Sequence, residues 1–450
     1  MQTSQLRKAD AIIPAILIST LLALFATARA DDDTSVSILY HESIQLIDTT
    51  EPHQDFATGV EIAPLTFDAY GRRFELLPDE KRSFHNHGRI QLHGRLAGLT
   101  GSWFSLLRNG DELSGIISDG SDIYLIEPSR RIAELLIEPP ADAAPANLIF
   151  RLADTLVPRG LMACDTHDDP TPTGAYIDGQ SAAAKLSAEL QAVSGTASAT
   201  AALPLLVGVV ADEGFVGIHK EKTKNEIEAI FITAQGILFQ EIGLELVIDS
   251  DNLLSVPSDI VNPFSDTAIA TELLDELGIW RSANQAHLGH THLITSREKF
   301  LSESGDNLAG ISYLGTPGRT GACNPRTGAS ITYVNPERFF SPSLTALIIT
   351  HEIGHNLGAP HDGDPDGACA STSTTDFLMG SKISTRTPVE FSDCSIAQID
   401  QFIAAASCLN EGAQSLPARS SGGGGALGWF SIASLLLGIA ARRKRSARLS

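Results

Sequence analysis

The residues with the plainest chemistry lie in one run, His351-Glu352-Ile353-Gly354-His355-Asn356-Leu357-Gly358-Ala359-Pro360-His361-Asp362, which spells H-E-x-x-H-x-x-G-x-x-H-D. Three imidazoles and a carboxylate at this spacing suit one catalytic zinc ion. Four residues apart on a helix, His351 and His355 share a face, so both rings can reach the same metal. Glu352 stands one step round that helix, where it can act as general base on a water at the metal. Gly358 allows a sharp exit that a side chain would resist, and the returning chain brings His361 in as third ligand. The fourth position is left to water. At average residue frequencies the five fixed positions coincide by chance at roughly 10⁻⁷ to 10⁻⁸ per start point, so a helix with incidental surface histidines is the poorer explanation. The run is the signature of a zinc hydrolase.

Other polar clusters carry less. His287, His290 and His292 lie close together, and the last two alternate on an expected strand, but no carboxylate shares their spacing and packing explains them better than a second metal. Asp362-Gly363-Asp364-Pro365-Asp366-Gly367 opens like a calcium loop, yet Ser373 stands where the twelfth-position Glu belongs, so it is not an EF-hand. It reads first as a turn ordering the metal loop, with a structural calcium ion as the alternative.

The elements that must position the site follow from periodicity. Leu205 to Ala211 is a continuous apolar run suited to a buried central strand, and Ile227, Ile230, Phe231, Ala234 and Leu238 follow at helical spacing. Leu244–Ile248, His292–Thr295 and Ala309–Gly315 are further strands, Ser343–Leu357 the metal-bearing helix, and Ile396–Ala406 a closing helix. Strands alternating with helices give an α/β domain over residues 203–412. Residues 31–177 instead alternate apolar and polar positions between Gly and Asn-Gly turns, which predicts a β-rich domain. Residues 178–202 collapse into Ala, Ser, Gly and Thr and read as a linker.

The ends carry addresses. Arg7 and Lys8, an apolar run from Ala11 to Ala26 and Ala28-Arg29-Ala30 form a secretory signal peptide over residues 1–30. Residues 413–425 form a Gly/Ser linker, and 426–450 hold a short apolar stretch closed by Arg442-Arg443-Lys444-Arg445. That stretch is short for a membrane span, although its basic end would stay cytoplasmic and leave everything upstream outside. A formal charge of −22 argues against a nucleic-acid partner, because phosphate recognition needs clustered Lys and Arg and these cluster only in the tail. Of five cysteines, Cys323, Cys369, Cys394 and Cys408 flank the metal run and in an exported protein form two disulfides, three pairings being open; Cys164 is left over.

The metal run, Phe377-Leu378-Met379-Gly380, and Phe391-Ser392-Asp393-Cys394-Ser395 with Cys408-Leu409 together resemble the adamalysin (reprolysin, ADAM-type) branch of the metzincins over roughly residues 203–412. Upstream, Phe67-Asp68-Ala69-Tyr70-Gly71-Arg72 and Gly115-Ile116-Ile117 to Ile126-Glu127-Pro128 look like that family's propeptide. The tail from Ser420 resembles the bacterial GlyGly-CTERM sorting signal, read by a rhomboid-type protease, which implies a temporary anchor in a Gram-negative cell envelope; a permanent tether is the alternative.

The family resemblance implies a metzincin fold, a twisted mixed sheet with a zinc-binding helix, preceded by the propeptide. It implies Met379 as the Met-turn residue beneath the histidines, Asp362 as the residue fixing the loop behind the third ligand, and the pairs Cys323–Cys408 and Cys369–Cys394. An unpaired edge strand, Ala309-Gly310-Ile311 onward, would take an extended peptide through main-chain hydrogen bonds, and the segment from Met379 to about Pro388 would line a side-chain pocket. Cys164 is a candidate cysteine switch that fills the fourth metal position, although Asp165-Thr166-His167 follows it where the family commonly has Gly. Arg130-Arg131 and the linker are candidate processing sites. These features together predict a secreted, monomeric, zymogenic zinc endopeptidase acting on protein or peptide substrates. The rivals are an adhesion module on a silent scaffold and a zinc hydrolase of non-peptide bonds.

Overall fold

A computed structural model describes residues 36–47, 63–86, 89–138, 140, 147–157, 163–167, 203–255, 262–335, 341–383, 389–406 and 408–409. The signal peptide, the 178–202 linker, both C-terminal segments and residues 384–388 of the expected pocket wall lie outside them. Among the described residues no helix is long and apolar enough to cross a membrane; the 426–450 tail is not among them.

The N-terminal part is β-structure, because apolar and polar residues alternate between tight turns. Its strands are β1 (Ser37–Ile38), β2 (Glu42–Ile44), β3 (Leu65–Ala69), β4 (Arg72–Pro78), β5 (Phe84–Asn86) and β6 (Arg89–Leu96). β7 (Trp103–Asn109), β8 (Glu112–Ser118), β9 (Ile123–Pro128), β10 (Asn147–Arg151) and β11 (Thr155–Leu156) follow, with a short helix α1 (Ser129–Ile132) after β9. Nine of these strands make one antiparallel sheet in the order β2-β10-β9-β8-β7-β6-β4-β3, with β5 on β6. Tyr70-Gly71, both at positive φ, turn the β3–β4 hairpin as a two-residue loop requires.

The second sheet comprises β12 (Cys164–His167), β13 (Leu203–Ala211), β14 (Leu244–Ser255), β15 (His290–Thr295), β16 (Gly310–Tyr313) and β17 (Ala329–Tyr333), in the order β12-β16-β17-β15-β13-β14. β13, β14, β15 and β17 run parallel, and β16 runs against β17. Its helices are α2 (Glu213–His219), α3 (Thr223–Ile242), α4 (Ala270–Asn284), α5 (Pro342–Asn356) and α6 (Asp393–Ala405). Buried on both faces, β13 reads as an unbroken apolar run: Val207, Val209 and Ala211 pack with α3 and α5, whereas Val210 packs with Leu273, Leu274 and Leu277 of α4.

The metal-bearing helix starts one residue before its expected bound because Pro342 fits the first turn and the Ser341 side chain accepts from Leu344 N–H. Elements without a counterpart in the sequence expectations include the short α2 and, more consequentially, α4 and β17. The apolar residues of α4 and β17 are interleaved with polar ones that the tertiary structure buries, such as Arg281, Ser330 and Thr332. Cys164–His167, on the N-terminal side of the expected division at residue 177, pairs in parallel with Gly310–Tyr313 and so extends the second sheet. The edge expected to be unpaired is therefore covered by the chain itself. The structure holds disulfides Cys323–Cys408 and Cys369–Cys394, and leaves Cys164 free and buried.

Candidate metal centre

Helix α5 is buried along its length, so the sheet and its neighbours fix His351, Glu352 and His355 in place. The chain leaves the helix at Gly358, where φ of +95° is open to glycine at little cost, and returns to bring His361 opposite the helix. The Nε2 atom of His355 lies 2.9 Å from that of His351 and 3.1 Å from that of His361. His351 Nδ1 lies 2.6 Å from Leu378 O, and His355 Nδ1 lies 2.7 Å from Ala359 O. A carbonyl only accepts, so in both rings Nδ1 carries the proton and Nε2 presents a lone pair. Burial lowers the pKa of His351 to about 3, of His355 well below its ordinary value, and of His361 in the same direction. Neutral imidazoles converging lone pairs at this distance repel unless a cation lies among them. Three nitrogen donors of this kind fit zinc.

The segment Leu378–Met379 supports two parts of the histidine triad at once. Leu378 O orients His351, and Met379 O accepts the N–H of Asp362 at 2.8 Å, fixing the residue after His361. Met379 itself is buried against Gly354. The Asp362 carboxylate accepts from Ser392 Oγ at 2.7 Å and Ser395 Oγ at 3.2 Å, which ties the third ligand to the first turn of α6. In the acidic loop, Asp364 Oδ1 accepts from the Asp366 amide. Among the described residues, the groups gathered at metal-ligand distance are His351–His355–His361 and Cys164–His351–Glu352, so the loop gives no support for calcium.

Glu352 is fully buried beneath β16. A side chain on Gly310 would collide with its carboxylate, so the smallest residue is required there. Among the described residues no backbone amide or arginine holds the Glu352 oxygens, and the thiol of Cys164 faces them. Burial pushes the Glu352 carboxyl and the Cys164 thiol well above their ordinary ranges, the carboxylate adding to the effect on the thiol. Cys164, remote in sequence, is thus beside the metal triad. Its strand bridges the cleft: Ala309 N–H donates to Ala163 O at 2.7 Å and Leu314 N–H to His167 O at 3.3 Å, while on the other side Cys164 N–H donates to Ser381 O at 3.4 Å.

Among the described residues, no metal-ligand cluster includes His290 or His292. His290 Nδ1 bonds Asn356 Oδ1 at 2.9 Å, His290 Nε2 and His292 Nδ1 share Ser330 Oγ, and His292 Nε2 bonds Thr332 Oγ1. Asn356, which follows the second ligand, donates from Nδ2 to the carbonyls of Tyr313, Thr327 and Ala329. It therefore ties the metal helix to β16 and β17. The sequence alone gives it no role, because it stands among other polar residues of the same helix, His351, Glu352 and His355. Arg130-Arg131 is built into the fold: Arg130 bonds Glu112 at 2.6 Å, and Arg131 is buried against Glu226 of α3.

Residues 225–405 match the family model described as "Metallo-peptidase family M12B Reprolysin-like". Similar curated proteins include the snake venom metalloproteinase trimerelysin-2 of Protobothrops flavoviridis, 29% identical over 135 residues, or 29% of this chain and 57% of that protein. A zinc metalloproteinase/disintegrin of Bitis gabonica is 27% identical over 208 residues, or 43% of this chain and 55% of that protein. The chain spans a little over half the length of these relatives. Over the matched segment the chain is thus similar to reprolysin-type metalloproteases, and its histidine triad has the donor set for a metal ion.

Proposed function

We propose that the chain is an exported, zymogenic zinc endopeptidase in which Glu352 is the general base and the N-terminal residues through His167 act as its propeptide. One observation carries this: Ala163–His167 crosses the metal triad as an extended strand, hydrogen-bonded to β16 on one side and to Ser381 on the other. A cleft that holds the chain's own backbone in this way is built for extended polypeptide, which favours peptide over other hydrolysable substrates. Two disulfides agree with an oxidising, extracytoplasmic compartment.

A zinc ion held by His351, His355 and His361 would acidify a water molecule and polarise the scissile carbonyl. The residues supply the rest. Leu378 O and Ala359 O keep the Nε2 atoms of His351 and His355 free by taking their Nδ1 protons. β16 aligns the peptide main chain. The carboxylate of Glu352, uncommitted to any arginine, takes a proton from the attacking water and returns it to the leaving amine nitrogen. In the intact chain Cys164 occupies the side of Glu352 that substrate needs, so the precursor is latent.

The test is casein hydrolysis by the purified chain before and after cleavage in the linker, with and without a zinc chelator, beside Glu352→Gln and Cys164→Ala. Activity should appear on cleavage, disappear with the chelator, and fall by about 10²- to 10⁴-fold in Glu352→Gln at unchanged zinc content. Cys164→Ala should give the uncut chain activity. Hydrolysis that survives Glu352→Gln unchanged would refute the general-base assignment, and an uncut Cys164→Ala chain as silent as wild type would refute the switch.

A further inference from the structure

We infer that the N-terminal β-domain is a permanent subunit of the peptidase: activation withdraws the strand Cys164–His167 from the cleft, while the domain before it stays bound after the chain is cut. This rests on the zymogen interpretation above and concerns what happens to the propeptide.

The first ground is helix α3. Its buried residues run without a break from Glu226 to Leu238, which means that every face of the helix is covered. A helix at the surface of a free domain keeps one polar face. Ile227, Ile230, Phe231, Ala234, Ile237 and Leu238 belong to the large buried cluster that includes β13 and the metal-bearing helix. A second stripe, Ala229 and Ile232, packs instead on Leu107 of β7. Gly236 continues that stripe one turn on, and a side chain there would run into Ser105 and Trp103 of the same strand. Departure of the β-domain would bare this stripe. Together with the sides of α5 now turned toward β8 and β9, it would form an apolar patch of the kind soluble proteins rarely leave open.

The second ground is continuity of the core. Ile116, Leu125, Leu148 and Phe150 of the β-domain belong to one contiguous buried cluster with residues of β13, α3 and α5. A cluster of that kind marks the interior of one folding unit.

The third ground is polar and specific. Ser105 Oγ donates to Ile232 O at 2.5 Å, in the middle of α3. Arg89 is ion-paired with Glu228 and donates to Asn225 Oδ1 at 2.7 Å. Arg131 is ion-paired with Glu226 at 2.8 Å and donates from Nη2 to its Oε1 at 3.0 Å, both side chains being almost fully buried. Glu127 accepts from the amide of Ser343 at 3.0 Å and from its hydroxyl at 2.5 Å, so a β-domain carboxylate satisfies a free donor in the first turn of the metal-bearing helix. Removal of the domain would leave Glu226, Glu228 and that amide without these partners. The strand Cys164–His167 differs. It is held by main-chain bonds at a sheet edge and to Ser381, by the Cys164 thiol and by His167 against Tyr313 and Asp275, and none of these contacts involves the β-domain, so it can leave alone.

The experiment uses the full chain with a site for a specific protease inserted between residues 178 and 202, in wild-type and Cys164→Ala forms. After cutting, size-exclusion chromatography at about 10 nM protein should show the two fragments eluting together in both forms, including fractions that hydrolyse casein; that corresponds to a Kd below about 10 nM. Arg131→Glu, which sets a third carboxylate against Glu127 and Glu226, should let the fragments separate at least tenfold more readily. Elution of the 203–412 fragment alone as the active species would overturn the inference. Joint elution of fragments that never hydrolyse casein would leave the permanent subunit standing and refute the endopeptidase instead. A cut chain whose halves part at once in wild type refutes the inference whatever its activity, so misfolding of the Arg131→Glu variant cannot hide the answer.

Discussion

At the scale of single residues, Asn356 has the most dependants. Its two amide hydrogens serve three carbonyls, so its Oδ1 must accept from His290 Nδ1. That choice propagates: His290 Nε2 accepts from Ser330, Ser330 accepts from His292 Nδ1, and His292 Nε2 accepts from Thr332. Every polar atom in this buried chain is then satisfied with neutral rings, in keeping with burial lowering the pKa of His290 to about 3. Asn356→Ala breaks the chain at its head and leaves His290 Nδ1 and the carbonyls unpaired, so it should cost about 2–4 kcal/mol in urea unfolding of the metal-loaded protein. Zinc dissociation should accelerate as well, since the anchored turn carries His355. A loss under 1 kcal/mol would mean that water replaces the amide.

At the scale of elements, the two disulfides brace different parts of the site. Cys323–Cys408 closes 85 residues and joins the loop before β17 to the chain after α6, whereas Cys369–Cys394 closes 25 residues and joins the metal loop to α6. On loop entropy, removing the first should cost about 4–5 kcal/mol and the second about 3–4 kcal/mol. The activity order should be the reverse, because only the second pair lies on the segment that carries His361 and Asp362. Thermal unfolding and casein turnover of the Cys→Ser double variants check both orders. Which element bears the metal was legible in the sequence, since ligand spacing and helical period coincide there. β17 and α4 were not, because Arg281, Ser330 and Thr332 look like surface residues until the carbonyls and imidazoles that satisfy them are in place.

At the scale of the whole molecule, the contact between the β-domain and the peptidase should depend on pH. Burial pushes the Glu127 carboxyl from its ordinary 4.5 up to about 7, against the opposing pull of Arg131. The other groups facing it are Glu226 of α3 and the donors of Ser343. A raised carboxyl means that the docked state holds a proton the separated domains release, so association is strongest below 4.5 and weakens as pH rises through about 7. His219, near Arg131, acts in the opposite sense: burial lowers its pKa to about 4, so it opposes docking only as pH falls below about 6.5. Between about pH 6.5 and 7 the fragments of the cut chain should therefore dissociate more readily as pH rises, and above about 7, where the carboxyl is ionised in both states, the dependence should level off. Glu127→Gln, which keeps the acceptor for Ser343 and removes the charge, should flatten that slope. A slope unchanged by Glu127→Gln would assign the dependence to another group.

The sequence by itself determined the metal chemistry, because ligand spacing along one helix and its exit turn is a local property fixed by helical geometry. It also determined the unbroken apolar β13, since burial on both faces leaves no polar position. The tertiary structure alone decided what lies against that metal site. Cys164 is separated from Glu352 by nearly two hundred residues, and only pairing of β12 with β16 brings them together. The joining of the β-domain to α3 and α5 was likewise hidden: a second apolar stripe on a helix and a few scattered charges acquire meaning only when the opposing surface supplies Leu107, Ser105 and Arg131. Local periodicity encodes which face of an element is apolar, and long-range packing encodes what covers it.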